Sequence, residues 1–170
     1  MPLDQSFVGR TYPPTAAYEV GREKIREFAD AIRDPNPVYR DAEAARALGH
    51  PDVVAPPTFP IVISMPAADQ VVYDPALGLD WARVVHGDQR FTHERPMRPG
   101  DRVVAVVVVE SIKTFAGNDM ITLVTEMSTV EGELISTARA LLVARGEAEP
   151  EVEAEAGSSA AGSENGEQQA

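Results

Sequence analysis

Seven consecutive apolar residues, Val103 to Val109 within DRVVAVVVVESIKTF, constrain this chain more than any other stretch. Most of them are β-branched valines, and turn signals bound the run, so it predicts a strand rather than a helix. A strand apolar at every position predicts cover on both faces. Three further β-rich segments surround it, VVHGDQRFT, DMITLVTEMSTV and ELISTARALLVAR, separated by MRPGD, FAGND and VEGEL. In DMITLVTEMSTV, Ile121, Leu123 and Met127 fall on one face and Thr122, Glu126 and Ser128 on the other. That alternation suits an antiparallel strand with one wet face.

The first half reads differently. TAAYEV, Thr15 to Val20, is a short β-like start. GREKIREFADAI then places Ile25, Phe28, Ala29 and Ile32 at helical spacing on one stripe. Asp34-Pro35-Asn36-Pro37 ends that helix, because proline lacks an N–H and restricts the residue before it. Asp41 can cap a second short helix, AEAARAL, with Gly49 as its stop signal. From Ala55 the local signals conflict: APPTFPIVISMPAADQVV opens with prolines suited to a first helical turn, yet Ile61, Val62 and Ile63 are β-branched and Pro66 would bend a helix. Helices first and a strand meander second predict an α+β domain, a sheet packed on helical segments.

With 170 residues the chain has room for one core domain and a tail. The domain is expected to end near Arg145, giving 1–145 as domain and 146–170 as tail. Gly146 to Ala170 carries seven glutamates and no base; without those seven, the formal charge of −12 falls to −5 for the remaining 145 residues. One valine is the tail's only large apolar residue, too little burial to offset ordering entropy, so a disordered, solvating acidic tail is expected. The acidic balance argues against nucleic acid as a partner. No run approaches a membrane span and the first residues lack the pattern of a signal peptide, so no membrane association and a cytoplasmic location are expected. The absence of cysteine excludes disulfides, thiolate metal ligands and a Cys nucleophile.

Three constellations are candidates for chemistry. Asp34 and Asn36 flank Pro35 on a rigid turn, where a carboxylate and an amide could face one pocket; on local grounds alone Asp, Asn and Pro read as a helix stop. His86 and His93 lie seven apart on one strand, which predicts opposite faces, and His50 sits in a loop. None has a partner at a telling spacing, so all three histidines read as structural or solvated, and no metal ligand set is expected. There is no G-x-S-x-G, no phosphate-cradling loop and no G-x-G-x-x-G, hence no support for a serine nucleophile or a nucleotide cofactor; no cofactor is expected.

The order of DPNPVY, GHPDVVAPPTF and RPMRPGD, followed by three strands, resembles the MaoC-like hot-dog dehydratases over about residues 3 to 145. The likeness is strongest to their N-terminal-domain type, the non-catalytic subunit of heterodimeric (R)-3-hydroxyacyl dehydratases. It implies a single hot-dog domain, an antiparallel sheet wrapped around one central helix at Ala55 to Val72. Active members carry Asp-x-Asn-Pro-aliphatic-His, whose Asp and His act on a 3-hydroxyacyl thioester while the Asn positions them. Here these positions are Asp34, Asn36, Pro37 and Val38, but the histidine is replaced by Tyr39. A phenol is a poor base at neutral pH, whereas an imidazole can both take and give the proton. Asp34 also follows Arg33 where the family has glycine, and a nearby cation favours the charged carboxylate. The family's oxyanion-donating glycine N–H maps to Pro57, which has none.

The resemblance therefore implies a vestigial motif at Asp34, Asn36 and Tyr39, with no catalytic residue expected in this chain. A separately encoded hot-dog subunit with the intact motif would supply Asp and His, while Phe59, Ile61, Val62 and Met65 would line the acyl tunnel. The ligand would be an acyl thioester of coenzyme A or of acyl carrier protein. A second reading is a homodimeric acyl-thioester-binding module without catalysis. A hot-dog thioesterase is weaker, since no acidic residue precedes Asp69 on the central segment.

Overall fold

The computed structural model describes residues 3–145; the acidic tail expected at 146–170 lies outside the described residues. The elements run β1 (Tyr18–Glu19), α1 (Arg22–Ala31), α2 (Ala42–Ala47), α3 (Ile61–Val72), β2 (Val84–His93), β3 (Arg102–Phe115), β4 (Asn118–Thr129) and β5 (Leu134–Ala144). The strands form one antiparallel sheet in the order β1-β3-β4-β5-β2. It curls around α3, which packs on β3 and β4, so the chain is a single α+β hot-dog domain.

The inner face of α3 explains how the sheet closes on it. Ile63, Ser64, Ala67, Ala68 and Val71 are buried, and three of the five are small, which permits close approach to the strands. On the sheet side Val103, Ala105, Val107 and Val109 are fully buried at alternate positions, and Ile121, Leu123 and Met127 continue that face on β4. Val104, Val106 and Val108, on the other face, are only half-buried within this chain, so the double cover expected for β3 is complete on one side.

Two core clusters lie along α3. One gathers Phe59, Ile63 and Ala67 with Ile25, Val38, Tyr39 and Met97. The other gathers Ala68 and Val71 with Leu3, Phe7, Tyr12 and Leu123. An N-terminal strap closes the second: Gly9 N–H donates to Val109 O (2.8 Å) and Tyr12 N–H to Val107 O (2.9 Å). The Tyr12 hydroxyl donates to Asp74 at 2.8 Å beyond the end of α3.

Two sequence expectations are corrected. The central helix begins at Ile61, not at Ala55, because residues 55–60 form turns around Pro56, Pro57 and Pro60 instead of an extended first turn. Pro66 nevertheless sits inside a continuous helix, on its exposed face, where its ring meets solvent rather than the sheet. The second concerns β2. A bulge between His86 and Asp88 takes up one residue, so His86 pairs with Leu142 and His93 with Ser136, an even number of residues apart on β5. The two histidines therefore share one face of β2 instead of facing opposite ways.

Candidate functional site

The motif stretch is shaped first by the end of α1. Asp34 N–H donates to Ala29 O (2.9 Å) and Arg33 N–H to Asp30 O (3.0 Å), the paired bonds of a Schellman stop. Arg33 occupies the left-handed position of that stop at φ +57°, where glycine would carry no Cβ penalty. Beyond it the side chains are engaged locally. Asp34 Oδ1 accepts from Asn36 N–H at 3.0 Å, and Asn36 Oδ1 accepts from Val38 N–H at 3.2 Å, capping the 3-10 turn Pro37–Tyr39. The helix-stop reading describes what these two side chains do.

Tyr39 is 6% exposed. Burial pushes its hydroxyl pKa up, and the Asp34 carboxylate, a nearby negative charge and hydrogen-bond acceptor, pushes it further in the same direction. A phenol held more firmly protonated is a still weaker base at neutral pH.

Backbone bonds between loops bring distant segments to this turn. Val54 N–H donates to Val38 O (3.2 Å) and Ala55 N–H to Met97 O (2.8 Å). Between them lies a cavity of about 420 Å³ at the N-terminal end of α3. Asn36, Val38 and Tyr39 form one wall; Val54, Ala55, Pro56, Pro57 and Pro60 form the next; Arg95, Pro96 and Met97 close it; Leu48, His50, His93 and Glu94 complete the lining. Thus Asn36, Tyr39 and Pro57 meet at one cavity, while Asp34 is not part of its lining.

The RPMRPGD turn is fixed by ion pairs. Asp101, 8% exposed, accepts from the two terminal guanidinium nitrogens of Arg95 (2.8 and 3.0 Å) and from Arg98 N–H (2.9 Å), while Arg95 Nε donates to Glu133 at 2.8 Å. The hydrogen bonds that Arg95 donates to Glu133 and Asp101 push its guanidinium pKa further up. Its charge is thereby spent on structure.

The four residues expected along an acyl tunnel are placed as follows. Phe59 is fully buried and meets Phe28 edge-on at 5.4 Å between ring centroids. Ile61 and Val62 are half-buried and Met65 is 42% exposed, on the outward side of α3. None of the four lines the cavity. Sequence reasoning missed His50 and His93 as cavity residues; each lies beside a stretch already singled out, GHPDVVAPPTF and ERPMRPGD, and that adjacency was the available signal.

Comparison with known proteins agrees with this geometry. Residues 6–138 match the family model described as FAS1-like, dehydratase domain region. A UPF0336 protein of Saccharopolyspora erythraea is 63% identical over 149 residues, covering 88% of this chain and 96% of that protein. Among solved structures, a MaoC-like dehydratase superposes with a TM-score of 0.77 at 33% identity over 84% of this chain, which spans only 43% of that longer protein. The C-terminally truncated HadBC (3R-hydroxyacyl-ACP dehydratase) complex from Mycobacterium tuberculosis gives a TM-score of 0.71 at 29% identity, covering 81% of this chain and 96% of that one. With its curled sheet, its central helix and a family match over most of the domain, the chain belongs to the MaoC-like hot-dog dehydratase family.

Proposed function

We propose that this chain is the non-catalytic, acyl-chain-holding subunit of an (R)-3-hydroxyacyl thioester dehydratase, which run in reverse is an enoyl hydratase, acting in fatty-acid metabolism in the cytoplasm. One observation carries the reading: the cavity presents a protonated phenol, Tyr39, and a proline, Pro57, where the reaction needs an imidazole and an N–H, and Asp34 is not in its lining. Dehydration requires a base to take the proton alpha to the thioester carbonyl, an acid to protonate the departing hydroxyl, and a donor for the developing enolate oxygen. The motif positions of this chain, Asp34, Tyr39 and Pro57, do not bring the three together: two lack the group needed and the third is outside the lining. A second hot-dog subunit with the intact Asp-x-Asn-Pro-x-His run supplies them.

The surface suits such a partner. β2 is a ten-residue edge strand whose far side pairs with nothing among the described residues, and an unpaired edge of that length is a template for a further strand. Ile61 and Val62 are half-buried and Met65 is exposed on α3, and they give an acyl chain an apolar wall once the partner covers them. That one solved relative is a HadBC complex supports a hot-dog partner.

The test is co-expression with a hot-dog chain bearing the intact motif, followed by hydration of a crotonyl thioester. The co-purified complex is expected to turn over, to keep its rate with Asp34→Ala in this chain, and to lose it when the partner's motif histidine is replaced. Hydration by the isolated chain at a rate that Asp34→Ala abolishes overturns the proposal. A stable homodimer that binds acyl thioesters and accepts no partner would favour the binding-module reading instead.

A further inference from the structure

The cavity at the N-terminal end of α3 is a half-open cleft lined by this chain's own residues, and Ile61, Val62 and Met65 are not part of its lining. Its walls are unusual in chemistry. Pro56, Pro57, Pro60 and Pro96 bring no backbone N–H, and Val54 and Ala55 spend theirs on Val38 O and Met97 O. Arg95, the cation of the wall, is matched by the carboxylates of Asp101 and Glu133. The side-chain groups that remain for a ligand are the carboxamide NH2 of Asn36, whose Oδ1 is occupied by Val38 N–H, the imidazoles of His50 and His93, and the carboxylate of Glu94.

Such a wall disfavours phosphate, which finds no uncompensated cation, and suits a mostly apolar ligand with a neutral carbonyl or hydroxyl oxygen. The volume of about 420 Å³ lies within the range of small-molecule sites. The motif itself offers such a ligand no acid–base pair, because burial and Asp34 hold the Tyr39 hydroxyl protonated and Asp34 is not in the lining.

We propose that this cavity is a second, non-turnover site for the acyl-thioester head of a short enoyl or 3-hydroxyacyl substrate, so that the assembled dehydratase holds two thioesters and converts one. The inference rests on the subunit reading for its role, but not for its test. Isothermal titration of the isolated full chain uses S-crotonylpantetheine, a phosphate-free thioester. Saturable binding to a single site without turnover is expected. Leu48, at the cavity edge and 67% exposed, tolerates a large side chain without disturbing the core. Leu48→Trp is expected to abolish binding. Asn36→Asp keeps the cap oxygen but removes the NH2 donor, and is expected to weaken binding by about tenfold or more. No binding by the wild-type chain, or binding that both variants leave unchanged, overturns the second site while leaving the subunit proposal intact. Turnover by the isolated chain instead overturns the subunit proposal.

Discussion

Ser64 offers a sharp test of how the helix and sheet are packed. Its Oγ is buried with no hydrogen-bond partner, the one such side-chain atom among the described residues, and the residue is 5% exposed. Other buried polar groups are satisfied: Ser136 Oγ donates to Thr92 O, and Thr129 Oγ1 accepts from Glu133 N–H. An unsatisfied buried hydroxyl costs about 1–3 kcal/mol, and alanine is the better helix former by a few tenths of a kcal/mol. Ser64→Ala keeps the Cβ that packs against the strands and removes only the oxygen, so the expected effect is a stabilisation of about 2 kcal/mol. Unfolding entropy near 2.1 cal/mol/K per residue, over roughly 140 ordered residues, converts this to a rise in Tm of about 5–8 °C. Differential scanning calorimetry of both proteins at one matched concentration measures it, since any self-association would otherwise shift Tm by mass action. An unchanged or lowered Tm refutes the reasoning: the hydroxyl would then be bonded in solution, for example back to the Pro60 carbonyl one turn earlier, and its loss would cost a hydrogen bond.

Three further outcomes follow from particular geometries. Arg33→Gly places the residue suited to φ +57° at the helix stop; relief of about 1–2 kcal/mol of left-handed strain, partly offset by unfolded-state entropy, is expected to raise the urea midpoint slightly, whereas Arg33→Val is expected to lower it. Tyr12 has its pKa pushed up to about 12, first by burial and then by its hydrogen bond to Asp74. A raised folded-state value means a stability contribution fully present below pH 10 and lost as the pH climbs through 12, at most about 2.7 kcal/mol. Tyr12→Phe is expected to flatten that alkaline loss in a chemical-denaturation series, while costing the Asp74 bond at neutral pH. Finally, Tyr39→His alone is expected to give no hydration of a crotonyl thioester, and Tyr39→His combined with Pro57→Gly only a weak gain, because Asp34 remains engaged with Asn36 N–H outside the cavity lining; a steady-state assay of the isolated variants reads both.

The four long strands are legible in the sequence because each carries its own period and its own turns: VVAVVVV between MRPGD and FAGND cannot be much else. The helices at Arg22–Ala31 and Ala42–Ala47 are equally local, with an apolar stripe in one and the Asp41 cap in the other. The start of α3 is not. Ile61, Val62 and Ile63 favour a strand by propensity, and only burial within a curled sheet turns them into a helix, a tertiary effect that no window of sequence contains. The bulge beside Gly87 is likewise invisible, since nothing in HGD distinguishes it from a turn, yet it decides which way His93 faces. The cavity was legible in part: Asn36, Tyr39 and Pro57 were singled out from the motif pattern, while His50 and His93 join them only because Val38, Val54, Ala55 and Met97 tie three loops together through backbone bonds.

Hydrogen bonds make Asp34 and Asn36 a helix stop, and on the subunit proposal that is the role left to them. A carboxylate that accepts from Asn36 N–H, and an amide oxygen that accepts from Val38 N–H, hold the turn in one shape. Asp34 is not in the cavity lining, where the leaving hydroxyl of a bound ligand would lie, and it meets the cavity through its contacts with Asn36 and Tyr39. On that proposal local rigidity and catalysis compete for one side chain, and rigidity holds it. The subunit proposal therefore predicts an activity set by association: the rate in a fixed amount of partner rises with added chain and saturates at equal occupancy, with a midpoint that reports the affinity of the two subunits. A rate for the partner that is indifferent to this chain, at any acyl length, would mean that holding the acyl chain is not what the fold is for.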